Sequence, residues 1–268
     1  MKLDVVGLDK KNIGKRDLPS QFNEEVRPDL IKRAVLAIQS HKRQKYGTKP
    51  GAGERASAYV SKRRKAYKST YGIGQSRTPR KILNRRGRRM YFVGAVAPQT
   101  VGGRRAHPPK AEKEWDQKIN RKERRKAIRS AIAATIVKEI VSNRGHKIPG
   151  DYPFIIDNKI EEVEKTKEVK MILGALGFKD EMERSAVKKV RAGKGKLRGR
   201  KYQKKKGLLI IISKDCKLSK AAKNIAGIDI EQIKNINAEL LAPGAEPGRI
   251  TLFTLGAIEK MEKEKLFI

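Results

Sequence analysis

Apolar and polar positions change period several times along the chain. Lys2 to Asp9 alternates into Val5-Val6, and a second short strand ending near Leu18 follows Asp9-Lys10-Lys11-Asn12, so a hairpin is predicted. Arg27-Pro28-Asp29 then opens a helix. Proline suits the first helical position because its missing N–H would have no partner there, and Ile31, Ala34, Val35 and Ile38 fall on one face. From His41 to Lys110 apolar periodicity vanishes, and Gly, Pro, Arg, Lys and Tyr accumulate. Periodicity returns after Asn120-Arg121-Lys122-Glu123, which reads as a capping box, with Ile128, Ile132, Ile136 and Ile140 four apart before Gly145.

Beyond Pro153 the pattern predicts a short buried strand, Phe154-Ile155-Ile156, and then helices over about 161–176 and 179–192. Leu208-Leu209-Ile210-Ile211-Ile212 is an unbroken apolar run between Gly207 and Ser213, the signature of a strand covered on both faces. Short apolar runs continue at Ile228 to Ile230, Ile236 and Ile250 to Phe253, with a closing helix near 256–265. This rhythm of strand and helix predicts an α/β fold, a mainly parallel sheet flanked by helices, formed by residues 1–40 and 111–268. Residues 41–110 are a long, extended basic loop inserted into it, not expected to fold by itself.

Charge gives that loop its meaning. The chain carries 65 Lys and Arg against 29 Asp and Glu, a formal +36 over 268 residues, which calls for a polyanionic partner. Residues 41–110 hold 20 of the cations and a single acid, Glu54. A solvated face would alternate sign and be interleaved with core positions, and this segment does neither. Arginine's planar fork bonds phosphate bidentately and stacks on bases, so Arg63, Arg64, Arg77, Arg80, Arg85, Arg86, Arg88, Arg89, Arg104 and Arg105 suit structured RNA. Tyr67, Tyr71 and Tyr91, with Phe92, are candidates to stack on unpaired bases. A second patch, 193–206, adds Lys194, Lys196, Arg198, Arg200 and Lys201. At about 3.3 Å per extended residue, the two arms of the loop could reach as far as ~100 Å. A structureless excursion of that length inside a compact domain is functional or disordered.

Other chemistries find little support. Gly72-Ile73-Gly74 lacks the third glycine of a dinucleotide fingerprint, Gly193-x-Gly195-x-x-x-Gly199 precedes its strand, and the phosphate-loop, zincin and C-x-x-C patterns are missing. Cys216 is the sole cysteine, read as a small residue packed at a strand end, and His41, His107 and His146 lie apart in basic stretches that oppose bound metal. Acids such as those in 161–170 sit beside cations at helical spacing and read as solvated surface. No catalytic residue, metal site, cofactor or small-molecule substrate is expected, nor a membrane-spanning segment or leader peptide, so the protein is expected to be soluble and intracellular. Two alternatives stay open on residues alone: an RNA-acting enzyme, which would turn over substrate, and a general packaging protein, which would bind duplex DNA as well as folded RNA.

Four strings are more specific. Gly102-Gly103-Arg104-Arg105-Ala106-His107-Pro108-Pro109-Lys110 resembles the signature that closes the extended loop of the large-subunit ribosomal protein four family, the universal L-four family, in its archaeal form. Arg27-Pro28-Asp29-Leu30-Ile31, the segment Gly193 to Tyr202, and Leu241-Ala242-Pro243-Gly244 with Gly248-Arg249 resemble it too, in the family's order. The end at Ile268, without the C-terminal extension of eukaryotic members, points to the archaeal type. The resemblance implies a structural constituent of the large subunit in the cytoplasmic ribosome, bound to 23S rRNA and neighbouring ribosomal proteins. It implies that the loop, with His107 in its closing string, runs through rRNA to the wall of the peptide exit tunnel. By position, the tip falls near 71–80, with Gly74, Gln75, Ser76 and Arg77 facing the tunnel.

Overall fold

The computed structural model describes residues 1–66, 69–87 and 89–268. The chain divides into two compact units, 1–42 with 116–268 and Arg43–Trp115. In the first, β1 (Lys2–Val6) and β2 (Asn12–Asp17) form the expected hairpin, and α1 (Pro28–His41) follows with Pro28 in its first turn. The second unit holds β3 (Arg80–Arg86) and β4 (Arg89–Gly94). The first resumes with α2 (Arg121–Ile136), α3 (Lys138–Asn143), β5 (Ile155–Ile156), α4 (Thr166–Ala175), α5 (Lys179–Ala186), β6 (Lys188–Val190), β7 (Tyr202–Lys204) and β8 (Leu209–Ile212). It ends with α6 (Lys217–Lys223), β9 (Asp229–Gln232), α7 (Ala238–Leu241), β10 (Thr251–Thr254) and α8 (Leu255–Lys263).

Six of these strands form one sheet, in the order β2-β1-β5-β10-β8-β9. Every pairing within it is parallel except β1 with β2. Side chains alternate across a strand, and here that alternation feeds two cores. Val5, Ile155, Leu209, Ile211 and Phe253 point to one side, where α1, α2, α7 and α8 bring Ile31, Val35, Ile132, Leu241 and Ile258. Val6, Ile156, Ile210, Ile212 and Leu252 point to the other, against Val169 and Leu173 of α4 and Leu218 and Ala222 of α6. The unbroken Leu208 to Ile212 run is thus explained: a strand between two helical layers has no wet face.

Several local expectations change. Asn120 precedes α2 as predicted, but its side chain makes no capping bond, and Glu123 accepts from Arg33 Nη1 at 2.9 Å. The isoleucine ladder breaks at Val137, whose extended backbone separates α2 from α3. The helix expected to reach Ala192 stops at Ala186, where the chain turns into β6. Cys216 sits half-buried at the start of α6 and not at a strand end. Glu161 is not solvated surface. It is buried, and its carboxylate accepts from Ser213 N (2.9 Å), Ser213 Oγ (2.8 Å) and Thr254 Oγ1 (2.8 Å), joining the C-terminal ends of β8 and β10.

The second unit is not devoid of regular structure. β3 and β4 form an antiparallel hairpin, with Ile82 opposite Phe92 and a register shift between Ile82 and Asn84. Isolated bridges join Tyr59 to Arg80 and Ser61 to Ser69. The short run Met90-Tyr91-Phe92-Val93 suffices for a ribbon paired on itself, although it has no apolar-polar alternation and is flanked by arginines. Yet only Thr70 and Ala95 are buried among the described residues of this unit. It has pairing without a core.

Candidate nucleic-acid interface

Arginines from the basic segment emerge on this poorly buried scaffold. Two approaches of the backbone close its base: Thr48 N donates to Pro109 O at 3.1 Å, and Arg104 N donates to Val96 O at 3.0 Å. Glycine is required at two of these crossings. A Cβ on Gly103 would lie 2.0 Å from Ala97 O, and one on Gly53 would lie 2.5 Å from Arg104 Cα. Packing thus explains Gly103 in the closing string, while Gly102 beside it has a positive φ of 75°. Arg104 also pairs with Glu54 at 3.4 Å, the one acid noted in the basic stretch.

The predicted contact residues fall into distinct states. Arg80 is committed internally, donating from Nη1 to Ser76 O (2.7 Å) and from Nη2 to Ser76 Oγ (2.7 Å), which shapes the 74–78 turn. Arg77 lies over the Tyr71 ring, 4.5 Å from its centre, so that tyrosine already carries a cation on one face. Arg85 Nε donates to Gly87 O at 3.1 Å across the hairpin turn. Gly74, Gln75, Ser76 and Arg77 are exposed, as are Arg63, Arg64, Arg86, Arg89 and Arg105. Tyr91 is exposed on β4, and Phe92 more than a third so. Tyr67 and Arg88 lie outside the described residues. The chain reverses at several places between Tyr59 and Gly94, so a midpoint found by counting residues is only one of its turns.

In the first unit, β6 and β7 pair antiparallel and carry the second patch as a finger. A 3-10 turn spans Lys194–Arg198 between two glycines of positive φ, Gly193 and Gly199. Arg191 N donates to Lys201 O at 2.8 Å, and Arg200 N to Gly195 O at 3.1 Å. Lys194, Lys196, Arg198, Arg200 and Lys201 are exposed, and among the described residues none of them forms an ion pair within the chain. Lys201 lies 5.5 Å from the centre of the Tyr202 ring.

The finger's root is held by a buried polar network. Arg249 is fully buried. It donates to Gly207 O (2.8 Å), Leu240 O (3.0 Å) and Asp229 Oδ2 (2.5 Å), the last shared with Lys206 at 2.9 Å. Beside it, Arg184 grips Glu181 with Nε at 2.7 Å and Nη2 at 2.6 Å, and also donates to Lys206 O at 2.8 Å. Glu181 further accepts from Lys147 N at 2.9 Å and from His146 Nδ1 at 2.7 Å. A carboxylate only accepts, so His146 carries its proton on Nδ1. The 3.2 Å approach of Arg184 Nη2 to that nitrogen is then a contact between two donors. Burial alone would raise the Glu181 carboxyl, but Arg184, His146 and the Lys147 amide outweigh it and hold the pKa at about 2. Burial keeps His146 below its ordinary value, aided by the Arg184 and Arg144 charges and opposed by Glu181. The same competition lowers Asp229: burial pushes its carboxyl up, and Arg249 and Lys206 overcome it.

A feature missed in the sequence lies at the ends of the second unit. Tyr46 stacks on Trp115 with ring centres 5.6 Å apart and planes at 12°. Arg43 lies 3.7 Å from the Trp115 ring centre and Lys113 Nζ 4.4 Å from it. The available signal was the chain's lone tryptophan just past the last basic string and the first tyrosine just inside the segment.

Among the described residues no group of three or more His, Cys, Asp or Glu could hold a metal ion, and no helix is long and apolar enough to cross a membrane. A six-stranded sheet covered on both faces, with exposed cations on the β6-β7 finger and in the second unit, defines a strongly basic α/β protein. The chain belongs to the ribosomal protein L4/L1 family, whose sequence model matches residues 17–264. It is 50% identical to the large ribosomal subunit protein uL4 of Nanoarchaeum equitans over 268 residues, 100% of each chain. The uL4 proteins of Archaeoglobus fulgidus and Methanococcoides burtonii are 46% and 45% identical over 260 residues, 97% of each chain in both cases.

Proposed function

We propose that the chain is a structural constituent of the large ribosomal subunit in the cytoplasm, binding 23S rRNA and neighbouring ribosomal proteins without catalysing a reaction. Full-length similarity to archaeal uL4 proteins supports the subunit assignment. The carrying observation for RNA is the cationic second unit with two buried residues among those described. Such a polycation has no core to order it, and phosphate is the counter-charge that would. Residues 43–115 then thread rRNA, Arg63, Arg64, Arg86, Arg89 and Arg105 meet phosphates, and Tyr91 stacks on an unpaired base. Arg80, Arg85 and Arg104 shape the backbone that presents them. Lys194, Lys196, Arg198, Arg200 and Lys201 grip a separate RNA site from the β6-β7 finger.

The exposed turn of Gly74, Gln75, Ser76 and Arg77 is the part of the loop that reaches the peptide exit tunnel. Its shape comes from Arg80 bonding back to Ser76, which leaves the Gln75 side chain outward. Purified large subunits should contain the chain, and a photo-crosslinker at Gln75 should capture a stalled nascent peptide. Subunits lacking the chain would overturn the assignment, and a Gln75 probe that reacts only with rRNA would overturn the tunnel placement.

A further inference from the structure

Tyr46 and Trp115 wall an open groove of about 750 Å³, within the size range of small-ligand sites. Arg105, His107, Lys110 and Lys113 line it with them, and Glu112 is its only acid among the described residues. Trp115 backs one face of Tyr46. Arg43 braces the edge of that tyrosine: its guanidinium is nearer to Trp115 than to Tyr46, at 3.7 Å against 5.5 Å, and Nη2 donates to the Tyr46 hydroxyl at 3.3 Å. The tyrosine remains 48% exposed, which leaves its other face open. A mere brace between two arms would bury both rings and satisfy their polar atoms. Here the Trp115 Nε1 donor is buried without an acceptor, and the outer ring is half bare.

From this arrangement we propose that the groove is a nucleotide seat: one unpaired base of the RNA stacks on Tyr46, and its phosphate is held by Arg105 and Lys110. Base-on-aromatic stacking accepts any base because each has a π-face, and the flanking cations supply the phosphate contact. The Trp115 and Arg43 backing keeps the platform rigid before RNA arrives, which reduces the ordering cost of binding. The proposal rests on the RNA-binding reading and adds one site to it. Neither the Arg-rich hairpin nor the β6-β7 finger takes part.

Trp115 is the chain's only tryptophan, so its emission reports on this groove alone. The full chain is titrated with an eight-residue oligoadenylate and with an abasic oligomer of equal length and charge. Oligoadenylate should change Trp115 emission and bind about tenfold tighter than the abasic oligomer. Tyr46→Leu should remove that difference, and Tyr46→Phe, which keeps the ring, should restore it. Equal affinity for the two oligomers, or a base preference that survives Tyr46→Leu, overturns the seat. In either of those cases salt-dependent binding of a large-subunit rRNA fragment would persist, so the general reading would stand. A chain that binds neither oligomer nor rRNA fragment overturns both.

Discussion

Arg249 shows how misleading a residue's type can be when its surroundings are unknown. It is one of 65 Lys and Arg in a chain of formal charge +36, yet it is fully buried and bonded to Gly207 O, Leu240 O and Asp229. Replacing it by Met strands a half-buried carboxylate and two carbonyls, so Arg249→Met should destabilise the fold by about 3–5 kcal/mol, measured by urea unfolding. RNA affinity per folded molecule should change little. Glu181 makes the same point with the opposite charge. Its folded pKa of about 2 lies below the ordinary 4.5, so its contribution is complete above pH 4.5 and is lost as pH falls toward 2. That loss is on the order of 3 kcal/mol. His146, also held below its ordinary value, acts in the same direction, its share fading as pH falls below 6.5 and the unfolded chain takes up a proton. Unfolding followed from pH 7 to pH 2 should therefore show a stability loss that Glu181→Gln flattens. The burial of Glu181 and His146 could not be read from the sequence, because it depends on pairings of His146, Lys147, Glu181 and Arg184 across 34 to 38 positions.

At the scale of elements, the two basic projections differ in how they are held. The β6-β7 finger is a short antiparallel pair whose root is fastened by Lys206 to Asp229 and by Arg184 to the Lys206 carbonyl. Changing Arg198 and Arg200 to Ala should weaken RNA binding and reduce its salt slope by roughly one unit per lost phosphate contact. Footprints elsewhere on the RNA should be unchanged. The finger was legible as charge but not as shape. A helix was expected to run to Ala192, and the strand pairing that replaces it from Lys188 uses residues with no apolar alternation. The β3-β4 hairpin was hidden for a related reason. Its exposed residues mix Arg85, Arg86 and Arg89 with Leu83, Tyr91, Phe92 and Val93, so neither face reads as a core face, and pairing with its own neighbour across one turn needs no buried face to fix it.

For the whole molecule, the first unit has two apolar cores and the second has none among its described residues, so the two should respond differently to truncation. Deleting residues 55–95 should leave the six-stranded domain cooperatively folded, as judged by thermal unfolding, while rRNA affinity and its salt dependence both fall. A deletion protein with an unchanged salt slope would count against the loop as the main RNA contact. Without RNA, the same segment should be the first cut by protease, since its backbone pairs over few buried contacts.

The sequence alone determined the α/β class, the segment that carries the charge and the family, because these depend on local periodicity, composition and strings of adjacent residues. The buried strand at Leu208 to Ile212, for instance, needs no partner to be recognised as doubly covered. Tertiary structure decided which charged groups find partners within the chain. Arg249, Glu181 and Glu161 are drawn inside by partners distant in the chain, and Arg80 and Arg104 are used to shape their own loop. It also decided that Tyr46 and Trp115, 69 positions apart, meet as one platform. The physical reason is the same in each case: the free energy of a polar or aromatic side chain is set by what surrounds it, and those neighbours come from remote parts of the chain.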